Sequence, residues 1–458
     1  MSSATTHVLV TGANSGLGLG ICLRLIDDFL NTHPATSSLN IIFTTRSSRK
    51  SKDTQRTLES HLRRKHPSAL HARVTFQPES VDLTSLLTVL HLARKLNASS
   101  LPHLNAIICN AGIGGWSGLN WPKTIWTVLT DIRNATTWPT FKLGIVGSVT
   151  KSQLPSDSTA AQEPALGEVF CANLFGHYML VHWLMPLLRA CPSTWPGKVI
   201  WVSSTEPQRH HFNESDFQGL RTEAAYEHGK RMTDLLSLTA NQPSAHKSVS
   251  TYTALPKQSA ASANASEQPG RPNNGPPRLH LYHPGIAVTS VISLFWIVHQ
   301  AYLLGIYLAR WAGSPWATVE PYTAAHAATW LALTSERDIH DAEMATCSSS
   351  TTSETGVVEG RIKWGTATDR LGKTTPRPTE VPDWGVNGSG LPYAKDWWGG
   401  VGGIGRKPGS MEATKEDVQE FLDLGGRVWE GMERLREEWE GRIKEAEESG
   451  AIEKHSKQ

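Results

Sequence analysis

Tyr226 and Lys230 stand four residues apart in the run Ala225-Tyr-Glu-His-Gly-Lys-Arg231. On a helix this spacing puts both side chains on one face. An ammonium beside a phenol favours the phenolate and draws its pKa down from about 10. A tyrosine tuned in this way passes a proton to or from a carbonyl oxygen. The pair alone also occurs on ordinary surface helices, so its meaning depends on what the rest of the chain brings to it.

The first unit supplies a partner for such chemistry. His7 to Val10 is a short apolar run that reads as a buried strand. It feeds Thr11-Gly-Ala-Asn-Ser-Gly-Leu-Gly18, and helical apolar spacing follows from Leu19 to Leu30. Strand, glycine-rich turn and helix make a dinucleotide site. Gly12 permits the tight turn, Gly16 lets backbone approach a pyrophosphate, and Gly18 lets helix pack closely on strand. The turn residues Thr11, Ser15 and Leu17 belong to the same cofactor cradle, and the helix N-terminus faces the phosphates. The next strand, Asn40 to Thr45, ends in Thr45-Arg46-Ser-Ser-Arg49-Lys50. An NAD-preferring site has an acid there for the ribose 2′-hydroxyl. Three cations and no carboxylate suit a 2′-phosphate, so the expected cofactor is NADP(H). A helix is expected over about 52–66, and Asp82 follows a third strand. It either contacts the adenine or caps a helix starting at Thr84. A fourth strand from Leu104 ends in Asn110-Ala111-Gly112.

Thr11-Gly-x-x-x-Gly-x-Gly18, Asp82, Asn110-Ala-Gly112, Asn173, Ser203-Ser204, Tyr226-x-x-x-Lys230 and Pro284-Gly285 occur in an order that resembles the short-chain dehydrogenase/reductase family over about residues 7–335. The resemblance implies a doubly wound Rossmann-type α/β fold with a parallel sheet. It also implies the roles. Tyr226 is the general acid and Ser204 holds the substrate carbonyl, with Ser203 the alternative. Lys230 lowers the tyrosine pKa and bonds the nicotinamide ribose, and Asn173 positions a water in the proton relay. Asn110, Ala111 and Gly112 lie by the cofactor ribose. Pro284, Gly285, Ala287 and Thr289 form the loop at the nicotinamide carboxamide.

The chain departs from that pattern in three places. Ser204 and Tyr226 are 22 residues apart, a longer spacing than usual. About 114–165 is an apolar, tryptophan-rich insertion. The Ser/Ala/Pro/Gln/Asn tract from about 241 to 277 reads as disordered. The spacer Phe212-Asn-Glu-Ser-Asp-Phe-Gln218, with Tyr282-His-Pro-Gly-Ile286 and Lys363-Trp-Gly-Thr-Ala-Thr-Asp-Arg-Leu-Gly372, is similar to the fungal 3-keto-steroid reductases of sterol C4 demethylation and to animal type seven 17β-hydroxysteroid dehydrogenases. That resemblance implies a sterol substrate, the endoplasmic reticulum membrane on its cytosolic face or lipid droplets, and other C4-demethylation enzymes as partners. Reduction of another apolar ketone, and a reductase-like scaffold subunit, are the competing readings.

Composition sets bounds. The chain has 458 residues, a formal net charge of +2 and 17 tryptophans. The near-neutral balance argues against nucleic-acid binding through phosphate contacts. Five cysteines without a Cys-x-x-Cys pair indicate a reducing compartment and no metal site. The early strand argues against a cleavable signal peptide. Residues 291–311 form a mostly apolar stretch near the length of a membrane span, but His299 and Gln300 would be costly at its centre. The stretch falls just after the nicotinamide loop, where the resembled family places its substrate-binding helices, so the expected arrangement is a helix that caps the substrate site and rests on the membrane surface, with a membrane span and a buried core helix as the alternatives. Residues 1–340 should hold the cofactor-binding domain. Residues 341–458 should form an extension outside it, with a Gly/Pro/Trp-rich loop at 373–410. An amphipathic helix should then run from Thr414 to about Glu448, weakened at Gly425-Gly426.

Overall fold

The computed structural model describes residues 5–131, 135, 137–154, 163–256, 271–288, 296–347, 362–386, 388 and 411–450. Its centre is a mostly parallel sheet. Strands β1 (Thr5–Val10), β2 (Ser38–Thr45), β3 (Val74–Ser80) and β4 (Ala106–Cys109) alternate with helices α1 (Gly16–Thr32), α2 (Ser48–Lys65) and α3 (Leu86–Ala98). The insertion then contributes a small hairpin, β5 (Trp116–Leu119) and β6 (Lys142–Gly144), around helix α4 (Trp121–Thr130). Helix α5 (Gly176–Trp183), strand β7 (Lys198–Val202), helix α6 (Ala225–Thr239), helix α7 (His246–Tyr252) and strand β8 (Arg278–His283) follow. After them come α8 (Trp296–Trp311), α9 (His326–Leu333), α10 (Glu336–Cys347), β9 (Lys363–Thr368), β10 (Thr374–Thr379) and α11 (Lys415–Glu448).

The sheet order is β10-β9-β8-β7-β4-β1-β2-β3. Val8 is in register with Ile41 on one side and Ala106 on the other. This is the doubly wound α/β arrangement, in which the strand order reverses at β1 and β4 and a ligand crevice opens beyond their C-terminal ends. The inner strands are apolar along their length because helices cover both faces. One face packs on α1, α2 and α9, and the other on α3, α5, α6 and α11.

Several expectations change. Helix α2 begins at Ser48, with Ser47 capping the Lys50 N–H. Helix α3 begins at Leu86, because Thr84 is held in a turn by Asp82. The 241–277 tract is helical at its start: α7 lies on the surface and is anchored by the buried Tyr252, which stacks on Tyr178 at 4.0 Å. Residues 257–270 lie outside the described residues.

The extension does not sit outside the sheet. β9 pairs parallel with β8, and β10 pairs antiparallel with β9. β10 thus occupies part of the stretch expected to be loop, and 389–410 lie outside the described residues. Helix α11 runs unbroken through Gly425, where a Cβ would lie 2.4 Å from Thr239 of α6. This glycine permits a close helix crossing and is no weak point. The long Ser204–Tyr226 spacer has a related role. Its Arg209 bonds Asp417 at 2.9 Å, its Glu214 bonds Arg427 at 3.0 Å, and its Phe217 lies under Gly431. The added residues are the seat of α11.

Candidate active site

A cleft of about 500 Å³ opens at the C-terminal ends of β1, β4 and β7. Gly12, Ser15, Gly16, Leu17, Gly18, Thr45, Arg46, Asp82, Asn110, Ala111, Gly112, Asn173, Ser204, Tyr226, Lys230, Pro284, Gly285 and Ala287 all line it. Thr11 stands just behind, and Thr289 lies outside the described residues. Residues from the whole length of the first 290 positions thus reach one crevice.

The cofactor end is built from backbone. Gly12 and Gly16 have φ of 69° and 53°, values that favour glycine. A Cβ on Gly18 would lie 2.3 Å from the Gly12 carbonyl. Ser15 precedes α1 without a side-chain cap bond, and no acid occupies the first turn. The first N–H groups of α1 are therefore open to an anion. Arg46, at the end of β2, is exposed and has no ion-pair partner among the described residues. This set fits a phosphorylated dinucleotide. Thr11 organises the floor: its hydroxyl accepts from the N–H groups of Asn110 and Ala111 at 2.9 and 3.0 Å. His177, which the sequence reading had not singled out, meets the same hydroxyl at 2.8 Å. Burial, with Lys230 adding, lowers the His177 pKa to about 3, so the ring is neutral. Its place four residues after Asn173, on the same helical face, was the available signal.

Asp82 spends one carboxylate oxygen on the N–H and hydroxyl of Thr84 at 3.0 and 2.8 Å, a local turn at the rim of the cleft. Asn173 sits in a π-helical turn, Cys171–Phe175. Its side chain accepts from the Ile113 N–H at 2.7 Å and donates to the Ile113 carbonyl at 2.8 Å. The amide therefore pins the loop after β4, and any water held here must use the opened backbone of the turn.

At the other end, Ser203 and Ser204 part company. Ser203 is buried and donates to Asp234 at 2.5 Å, and Asp234 also receives Lys363 of β9 at 2.8 Å. Ser204 is left to the cleft, where its hydroxyl accepts from the Glu206 N–H at 3.2 Å and shares the lining with Tyr226. Lys230 donates to the Val202 carbonyl at 2.6 Å, with its nitrogen 5.5 Å from the Tyr226 ring centroid. Burial lowers its pKa to about 8, with Asp234 opposing the fall and Lys363 adding to it. The tyrosine is not drawn down as its spacing from Lys230 suggests. Burial, reinforced by Glu206 and Glu227, pushes the phenol well above its ordinary range, and the neighbouring Ser204 hydroxyl only partly opposes this. The hydroxyl is accordingly a proton donor at neutral pH. The ring is covered by Trp116 of the inserted hairpin at 5.1 Å. Trp116, Pro139, Ile286, Val288 and Tyr302 make this end of the cleft apolar.

No protein-family model matches the chain. Among curated proteins, the chain is 44% identical over 451 residues to a 3-keto-steroid reductase, erg27, of Aspergillus fumigatus, covering 97% of this chain and 96% of that one. It belongs to the 3-keto-steroid reductase family. A second relative of the same name in Gibberella zeae is 35% identical, with 94% of each chain covered. A solved metagenomic short-chain oxidoreductase in complex with NADP aligns at 16% identity and a TM-score of 0.35, over 72% of this chain and 92% of that one. That likeness by itself assigns neither cofactor nor substrate. The two reductase relatives match this chain over nearly its whole length.

Proposed function

We propose that this protein uses NADPH to reduce the 3-keto group of a 4-methyl sterone to the 3β-hydroxy sterol, a step of ergosterol-type sterol biosynthesis. The observation that carries the reading is the meeting of Ser204, Tyr226 and Lys230 at the apolar end of the cleft. The names of the family members supply the substrate class.

The chain's own residues divide the work. The open N–H groups of α1 and Arg46 hold the phosphates of the dinucleotide. When bound, the nicotinamide supplies the hydride that the protein lacks. Ser204 fixes the ketone oxygen against Tyr226, and the phenol delivers its proton there as negative charge develops. Lys230 keeps an ammonium beside the phenolate that remains. Trp116 and Tyr302 exclude water and pack on the sterol rings. Exchanging Tyr226 for Phe should abolish sterone turnover while NADPH binding persists. Substantial residual turnover would overturn this assignment.

The reading places the protein on the cytosolic face of the endoplasmic reticulum membrane. Among the described residues no helix is long and apolar enough to cross a membrane. What supports surface attachment is the exposure of Ile125, Trp126 and Leu129 on α4 and of Leu304, Leu308 and Trp311 on α8. Interfacial helices present such a face to lipid. Helix α8 lines the apolar end of the cleft through Tyr302, and the hairpin that brackets α4 lines it through Trp116. A water-insoluble sterone could thus enter from the bilayer.

A further inference from the structure

The wall over the catalytic tyrosine comes from the insertion and not from the cofactor fold. A two-stranded hairpin is marginal on its own, so β5 and β6 need an anchor. Trp116 of β5 is in register with Gly144 of β6, which offers it no side chain across the strands. There is no room for one, because a Cβ on Gly144 would lie 1.7 Å from the Glu223 carbonyl oxygen. The next position on that face of β6 is Lys142, and long side chains reach across such a diagonal. Its ammonium lies 4.2 Å from the Trp116 ring centroid and 5.5 Å from that of Tyr226. The two rings meet at 5.1 Å, with 58° between their planes.

Lys142 is held from its other side by the core. Its side chain is 5% exposed, and its ammonium pairs with Glu206 in the loop after β7 and with Glu227 of α6, the latter at 2.6 Å. Burial opposes the charge, but the two carboxylates outweigh it and keep the group cationic. Glu227 directly follows Tyr226, and the Glu206 N–H donates to the Ser204 hydroxyl at 3.2 Å. One side chain thus ties the hairpin to the two segments that carry Ser204 and Tyr226. Pairing with carboxylates needs no indole at this distance. A cation on an indole face is drawn by the ring quadrupole, and more strongly where water is excluded.

We propose that Lys142 is a positioning residue that acts through Trp116: it holds the indole against Tyr226 and so sets the wall on which the flat ring system of an apolar ketone rests. Trp116 lines the cleft and Lys142 does not, so the ammonium acts on the substrate through the indole. The hairpin thereby gives the cofactor fold a selectivity for broad, planar ketones. The inference rests on the ketone-reductase reading.

The test is a comparison of sterone KM, kcat and NADPH Kd, measured with the full-length protein at fixed detergent and a 4-methyl 3-keto sterol. Lys142→Gln should raise the sterone KM by about three- to thirtyfold, the range of a desolvated cation–π contact, while the NADPH Kd is unchanged. Lys142→Arg keeps a cation that stacks on aromatic rings and should recover most of the loss. Trp116→Ala should raise the KM by itself, and adding Lys142→Gln to it should raise it little further, because the two residues act as one. If Lys142→Gln does not fold, Lys142→Met combined with Glu227→Gln keeps the charge balance of the cluster and carries the same test, with Glu227→Gln alone as its control. A loss confined to kcat or to thermal stability, with the KM unmoved, overturns the inference. So do penalties of Lys142→Gln and Trp116→Ala that multiply in the double variant. A wild-type protein that reduces no ketone overturns the reading beneath it, and that outcome is seen before any variant is compared.

Discussion

Trp429 on α11 tests whether the C-terminal helix is part of the cooperative core. Its side chain is 1% exposed, and its indole N–H donates to the Leu236 carbonyl of α6 at 3.0 Å. It lies against Tyr178 and Tyr252, with ring centroids at 6.0 and 5.4 Å. Truncating such a residue to alanine costs about 3–5 kcal/mol, from lost transfer energy and the cavity left behind. An unfolding entropy of about 2.1 cal/mol/K per residue gives roughly 1 kcal/mol/K for a chain of this length, if it melts as one unit. Trp429→Ala should then lower the melting temperature in calorimetry by about 3–5 °C. The control is Trp126→Ala on α4, where the side chain is 70% exposed. A surface change of that kind is worth about 0.5 kcal/mol or less, hence under about 1 °C. A Trp429→Ala melting point indistinguishable from that control would refute the claim that α11 belongs to the core.

Three further outcomes follow from the same structure. Arg46→Asp should weaken NADPH binding by about tenfold to a hundredfold, the loss of a charge-assisted phosphate bond, with little effect on NADH. Equal loss for both in fluorescence titrations would remove the 2′-phosphate assignment. The buried Asp27 ties α1 to α2, accepting from His61, Lys65, His66 and Tyr322 at 2.5–2.9 Å. Burial opposes its charge, but these donors outweigh it and hold the carboxyl well below its usual range. A depressed folded-state pKa gives stability that is full above the unfolded value of about 3.9 and is lost as pH falls below it. Asp27→Asn should therefore reduce stability at pH 7 and flatten its decline below pH 4 in denaturant titrations; a decline as steep as in the wild type would exclude this origin. Replacing Trp126, Leu308 and Trp311 together by serine should cut co-flotation with liposomes several-fold while NADPH binding persists, and unchanged flotation would exclude those faces as the contact.

The parts of the fold that were legible in the sequence are those whose physics is local. Strands β1, β2, β4 and β7 are covered on both faces, so they read as apolar runs, and the Gly12–Gly18 turn declares its positive φ values through its glycines. β9 and β10 were hidden for physical reasons. Lys363 is tolerable inside because Asp234 meets it, and Pro376 and Pro378 are tolerable because β10 is an edge strand. Gly425-Gly426 read as a flaw because the Thr239 side chain that requires the first of them lies nearly 190 positions away. The same limit applies at the active site. Tyr226 and Lys230 announce each other by spacing, whereas Lys142, Glu206 and Glu227 meet only once the insertion has folded over the cleft.

The most direct measurement is NADPH oxidation by the purified protein with a 4-methyl 3-keto sterol, set beside retinal and a simple aromatic ketone. Turnover of the sterone, with little or none of the other two, is the expected result. Turnover of the small ketones without the sterone would contradict the sterol assignment and the entry from the bilayer, and would leave only a reductase of other carbonyls.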